Sequence, residues 1–165
     1  MIERSFKKFA IVLLLTGVMS ACQKKEEYPV IPEIRFESLI RIYNHNTMVY
    51  DRGVLKISFK DGDGDIGLSE NDVLPPYDYN FFISFYELQF GDTVRVIVSD
   101  SNEFNARIPV LTPDGINKSI KGEIEDTLFI YNYLSDFDTI RFDAYILDRA
   151  LHKSNVVTTG WFIRE

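Results

Sequence analysis

The chain of 165 residues is predicted to form an all-β antiparallel sandwich of about seven to nine short strands. Three observations point there. Several segments alternate apolar and polar residues with period two. Glycine, proline, asparagine and aspartate punctuate these segments at short intervals. And no long stretch keeps helical spacing free of β-branched or breaking residues.

The segments follow in chain order. "IRFESLIRIY" opens the series, and in "GVLKISFK" Leu55, Ile57 and Phe59 fall on one face while Lys56, Ser58 and Lys60 fall on the other. "FFISFYELQF" and "TVRVIVS" are rich in aromatic and β-branched residues, and Gly91-Asp92 between them reads as a hairpin turn. "ARIPVL", "IKGEI" and "TLFIY" are shorter candidates. "TIRFDAYIL" sets Ile140, Phe142, Ala144 and Ile146 against Arg141, Asp143 and Tyr145, and "VVTTGWFI" closes the set. This pattern fits a sandwich, and taken alone it also fits a small closed barrel.

The first residues belong to a different grammar. "MIERSFKKFAIVLLLTGVMSAC" begins with Arg4, Lys7 and Lys8, continues with an apolar run from Phe9 to Val18, and ends in small residues before Cys22. That is the anatomy of a cleaved signal peptide, and the run is too short for the roughly twenty apolar residues that span a bilayer. Cys22 is the single cysteine of the chain, so no disulfide framework or thiolate cluster is available. "MSAC" resembles the lipobox of bacterial lipoproteins, with Met19 where leucine is usual. The resemblance implies that Cys22 is lipidated and becomes the mature N-terminus. "CQKKEE" resembles the charged tag of surface-displayed lipoproteins of the Bacteroidota, with Lys25 at a place often acidic. It implies an outer-membrane protein facing the exterior, with the periplasmic face as the alternative. Read as residues only, "QKKEEYPVIPE" is a solvated, extended tether. The expected organisation is a leader at 1–21, a lipidated tether at 22–32 and one folded domain at 33–165.

Removing residues 1–21 takes Arg4, Lys7, Lys8 and Glu3 from the 18 basic and 25 acidic residues, which leaves 15 and 24 and a net charge of −9. No basic stripe for nucleic acid is on offer. The acidity is compatible with cation binding.

A further resemblance lies near the C-terminus. "ILDRALHKSNVVTT" resembles the end of bacterial Ig-like and fibronectin-III-like domains, with Asp148, Ala150, Ser154 and Asn155 in place and Leu151 where glycine is usual. It implies an Ig-like sandwich in which the loops after "VLKISF" and "IRFDAYIL" lie at the same end.

"KDGDGDIGLSEND" is the densest chemistry in the chain. Calcium takes six to eight hard oxygens, and alternate residues of a tight loop aim carboxylates at one point while glycines let the backbone curl. Asp61, Asp63 and Asp65 stand at positions 1, 3 and 5 of such a loop, Gly67 offers a carbonyl at 7, and Asp72 stands at 12. Ile66 at position 6, Asp72 in place of glutamate and the strand and "PPY" flanks exclude an EF-hand. A solvated acidic turn is the competing reading, since Asp-Gly is a good turn dipeptide. Like charges this close favour a counter-ion, so a structural Ca2+ is expected, with Asp148 or Asn155 completing the ligand set.

Tyr77 and Tyr79 in "PPYDYN" are the candidate ligand-binding aromatics, either wet edges of the core or a stacking platform for sugar. Catalysis is not expected. His45 and His152 stand in polar turns, and the proximity of Asp148, His152 and Ser154 in sequence is no triad. The leading expectation is a non-catalytic, calcium-stabilised Ig-like module anchored through its N-terminal lipid, serving adhesion or assembly with an envelope protein. The alternative is a carbohydrate-binding lipoprotein of a glycan-uptake system.

Overall fold

Alternation in the chain translates directly into two facing sheets in the computed structural model, which describes residues 27–97, 104–112 and 119–164. The leader, Cys22 and residues 23–26 lie outside the described residues. Sheet one has the order β1–β2–β5, from β1 (Glu33–Asn44), β2 (Val49–Asp61) and β5 (Ile120–Phe129). Sheet two has the order β4–β3–β6–β7, from β3 (Phe81–Gln89), β4 (Asp92–Arg95), β6 (Thr139–Ile146) and β7 (Val157–Thr158). A last strand, β8 (Phe162–Ile163), pairs with β6 beyond β7. Every strand pairing is antiparallel. Two separate sheets rather than one closed ring decide for the sandwich over the barrel. The strand order is Ig-like: β1, β2 and β5 stand as A, B and E, and β3, β4, β6 and the β7/β8 edge as C, C′, F and G.

The core is what period two puts between the sheets. Leu55, Ile57 and Phe59 of β2 face Phe81, Ile83 and Phe85 of β3 and Ile140, Phe142, Ala144 and Ile146 of β6, all buried. Ile66, Ile108 and Ile130 close it from the loops. The outer face of sheet two is covered by its own side chains. Phe82 stacks on Tyr145 at 4.9 Å, the Lys153 ammonium sits 3.8 Å from the Tyr145 ring, and the Arg141 guanidinium lies 4.8 Å from both Tyr86 and Trp161.

Several expected elements differ. The hairpin turn is Phe90-Gly91, not Gly91-Asp92: Gln89 pairs with Asp92, and both turn residues have positive φ, 55° and 96°. That is the geometry of a two-residue hairpin loop matched to strand twist. "IKGEI" and "TLFIY" join into the single strand β5, because β2 supplies a pairing partner for every residue across Glu125–Thr127. "ARIPVL" makes only isolated bridges at Ala106 and Pro109. The buried Asn80 takes over there, its amide accepting from Ile108 N–H at 2.7 Å and donating to the Ile108 carbonyl at 3.1 Å. "VVTTGWFI" breaks into β7 and β8 around Gly160.

The two ends of the sandwich are distinct. β1 starts and β2 ends at one pole, where Glu33 pairs with Lys60 and where β6 ends. The other pole carries the β1–β2 turn, the Phe90-Gly91 turn, residues 130–138 and Arg164. There Glu87, the last buried residue of β3, is satisfied: it accepts from Asn132 at 3.1 Å, Ser135 at 2.7 Å and Gln89 at 2.9 Å. Arg164 donates to the carbonyls of Asn132 and Ser135 at 2.8 and 2.5 Å and holds the same loop.

Candidate metal centre

β2 runs inward at every second residue from Gly53, and the last inward position is Asp61. A carboxylate thus stands where the pattern asks for a hydrophobe, and Asp61 is fully buried. The chain then turns through glycines: Gly64 has φ 71° and Gly67 φ 117°, conformations that favour glycine. Gly67 is required twice over, since a Cβ there would stand 2.3 Å from the Pro109 carbonyl oxygen.

The turn brings one carboxylate oxygen each of Asp61, Asp63 and Asp65 within 4.8 Å of one another. Their other bonds fix which oxygens are spare. Asp61 Oδ2 accepts the Ile66 N–H at 3.3 Å, and Asp65 Oδ2 accepts the Ala150 N–H at 3.2 Å. Oδ1 of Asp61, Asp63 and Asp65 is buried in each case and has no hydrogen-bond partner. Arg141 Nε and Asp143 Oδ1 are the other buried atoms without a hydrogen bond among the described residues, and they form an ion pair at 3.1 Å. The three aspartate oxygens have no such partner.

Electrostatics follow from this crowding. Burial, followed by the charge of Asp63, pushes the Asp61 carboxyl up to about 7. Asp65 is raised as well, first by burial and then by the charges of Asp148 and Asp63, against the nearby positive charge of Arg149. Taking protons or taking a cation are the two ways such a cluster relieves its repulsion. Buried carboxylate oxygens converging from positions 1, 3 and 5 suit a hard divalent ion that prefers oxygen.

The remaining expected ligands are placed differently. Asp72 is engaged in its own turn, where Oδ2 accepts from Ser69 N–H at 2.9 Å and Ser69 Oγ at 2.8 Å. Those two bonds, hydroxyl first, hold its carboxyl below the usual value. Asp148 does reach the acidic loop: its charge acts on Asp65, and Arg149 N–H bonds the Asp65 carbonyl at 3.3 Å. Both Asp148 oxygens are nonetheless taken by His152, by its N–H at 2.7 Å and its Nδ1 at 2.9 Å, and Asp148 is not among the converging residues. Asn155 is tied to β1, accepting from Ile34 N–H and donating to its carbonyl, both at 2.9 Å. The Ser154 hydroxyl accepts from Ile146 N–H and donates to the Asn155 carbonyl at 2.8 Å, so its proton is not directed at His152.

Arg107 is a residue that sequence reasoning passed over. Its guanidinium donates to the carbonyls of Ser69, Asp72, Tyr77 and Asp78 at 2.6–2.9 Å and so organises the loop after the acidic turn. One arginine in the candidate strand "ARIPVL" carries no local signal of that role. Tyr77 and Tyr79 are half-buried in the same loop, and the Tyr77 hydroxyl donates to the Arg149 carbonyl at 3.4 Å.

No family model matches this chain, and no curated protein or solved structure matches it at a significant level.

Proposed function

We propose that this protein is a lipid-anchored, non-catalytic envelope module whose Ig-like sandwich is stabilised by calcium and which serves adhesion or assembly. The observation that carries the reading is the convergence of three buried, unpartnered carboxylate oxygens of Asp61, Asp63 and Asp65. An arrangement of this kind is costly in a fold unless protons or a cation neutralise it, and external calcium stands at millimolar levels. The leader and Cys22 supply the anchor. The pole away from the tether supplies a face: Met48, Phe90, Tyr133 and Leu134 are 69, 95, 80 and 76% exposed at the tips of three separate loops. Aromatic and methionine side chains offered in this way are the composition of protein-contact surfaces.

A second reading, glycan binding, has its own support at that pole. A cleft of about 490 Å³ is lined by Tyr43, Tyr50 and Tyr131 with Asp136, Asp138 and Arg164. Aromatic walls with carboxylate acceptors suit the apolar and hydroxyl faces of a sugar. These residues join Tyr77 and Tyr79 as the ones to test for it.

The test is calorimetric titration of CaCl2 into the domain, with wild type and Asp63→Ala side by side, followed by protein pull-down and glycan-array binding with loop-tip variants. Calcium binding lost in Asp63→Ala, with partner capture lost in Tyr133→Ser/Leu134→Ser, supports the module. No calcium binding by the wild type rejects the metal centre. Loss of glycan binding in Tyr131→Ala, with protein capture absent, replaces adhesion by the second reading.

A further inference from the structure

The acidic loop touches the tether. Gly62, between Asp61 and Asp63, donates its N–H to the Pro29 carbonyl at 2.7 Å. A Cβ on Gly62 would stand 2.3 Å from the Tyr28 carbonyl oxygen and 2.8 Å from Pro29 carbonyl atoms. Residues 28 and 29 therefore lie on the loop at a distance that only glycine permits. The Tyr28 ring is 5.4 Å from the Lys60 ammonium and 5.9 Å from that of Lys121, so it also spans the ends of β2 and β5. Ser119, at the entry to β5, donates to the Gly62 carbonyl at 2.9 Å. The membrane-proximal segment is thus seated on the carboxylate loop before β1 begins at Glu33.

We propose that the ion held by Asp61, Asp63 and Asp65 controls the junction between anchor and domain. This rests on the calcium reading of the loop. The Gly62 amide belongs to the peptide unit joining Asp61 to Gly62, so a backbone movement that separates Asp61 from Asp63 displaces the donor that Pro29 uses. With calcium the carboxylates are drawn together and residues 28–29 are seated. Without it, mutual repulsion spreads the loop and the seat loosens. External calcium then sets how stiffly the domain stands on its lipid anchor. Coupling between two sites is reciprocal, so the seated tether must strengthen calcium binding by the same factor by which calcium strengthens the seat.

The experiment uses the mature chain from Cys22 onward in detergent micelles, with hydrogen exchange followed at residues 27–34 and calcium affinity followed by calorimetry with CaCl2. Calcium is expected to slow exchange in 27–34, and MgCl2 at equal concentration to do so poorly. Gly62→Ala, whose carboxylates are intact, is expected to bind calcium at least about fivefold more weakly, the low end of ordinary coupling. Should Gly62→Ala not fold, Tyr28→Gly/Pro29→Gly removes the seated segment's ring and stiffness without touching the loop and is expected to weaken calcium in the same direction. Calcium that binds the wild type while exchange at 27–34 and the affinity of both variants stay unchanged overturns the coupling and leaves the metal centre standing. A wild type that binds no calcium removes both.

Discussion

Asp61 and Glu87 are the same device at opposite ends of one core. Each is the last buried residue of its strand, and one is satisfied while the other is not. Three donors close on Glu87, whereas Asp61 Oδ1 has none. Opposite responses to the same chemical change follow. Glu87→Gln places an amide N–H among groups that donate and should cost about 1–3 kcal/mol. Asp61→Asn removes a buried charge among like charges and should raise the melting temperature of the calcium-free protein while abolishing its calcium response. Denaturant melts of both variants in chelator decide this, and equal destabilisation would sink the distinction.

Calcium should stabilise the domain by linkage. At millimolar ion and a dissociation constant of order 0.1 mM the gain is about 1.4 kcal/mol. For a domain of this size that is a midpoint shift of roughly 3–6 °C. Calorimetry with and without chelator measures it, magnesium should restore it poorly, and Asp63→Ala should remove it. A melting curve indifferent to calcium and chelator reduces the loop to a solvated turn.

The pH dependence of the metal-free protein should run against the usual direction. Asp61 is raised in the fold from an ordinary 3.8 to about 7, chiefly by burial and then by Asp63. The folded state therefore holds a proton that the unfolded chain has lost across that window. Stability from this group is present below pH about 4 and is lost as pH rises through about 7. Asp65 is raised too and acts in the same sense, whereas Asp72 is lowered and acts in the opposite one at acid pH. Chelated protein should melt lower at pH 8 than at pH 5.5, and saturating calcium should close that gap. A chelated protein more stable at pH 8 would show that Asp61 is ionised without cost.

Truncation of the core should be far more damaging than removal of a loop carboxylate. Phe142 touches Phe85, Phe104 and Phe162 at ring-centroid distances of 5.1, 5.4 and 6.4 Å and is fully buried. Phe142→Ala should cost about 3–5 kcal/mol in equilibrium unfolding. A cost below 1 kcal/mol would mean that Phe142 is not packed in the core between the sheets.

At the anchor, Cys22→Ser should abolish acyl labelling and leave the leader uncleaved by the lipoprotein peptidase. Neutralising Glu26 and Glu27 should reduce protease shaving from intact cells while leaving the melting temperature unchanged. Labelling that persists in Cys22→Ser places the lipid elsewhere.

The sequence by itself determined the inward rows of β2 and β6, because a strand's side-chain period is two and the apolar residues keep it. It also determined the acidic cluster, since residues at positions 1, 3 and 5 of one turn are held together by local geometry. Pairing and long-range contact were decided only by the tertiary structure. Nothing local says that Glu125–Thr127 continues a strand; β2 beside it does. Nothing within residues 61–72 says that Asp72 turns away to Ser69 under Arg107, or that His152 takes both oxygens of Asp148. The likeness of Asp61 to Glu87 is equally invisible in sequence, because each is one acid at the end of an apolar row. Their difference lies in the loops brought against them: residues 132–135 fill the site at Glu87, and at Asp61 the fold brings one donor, the Ile66 N–H, among further carboxylates.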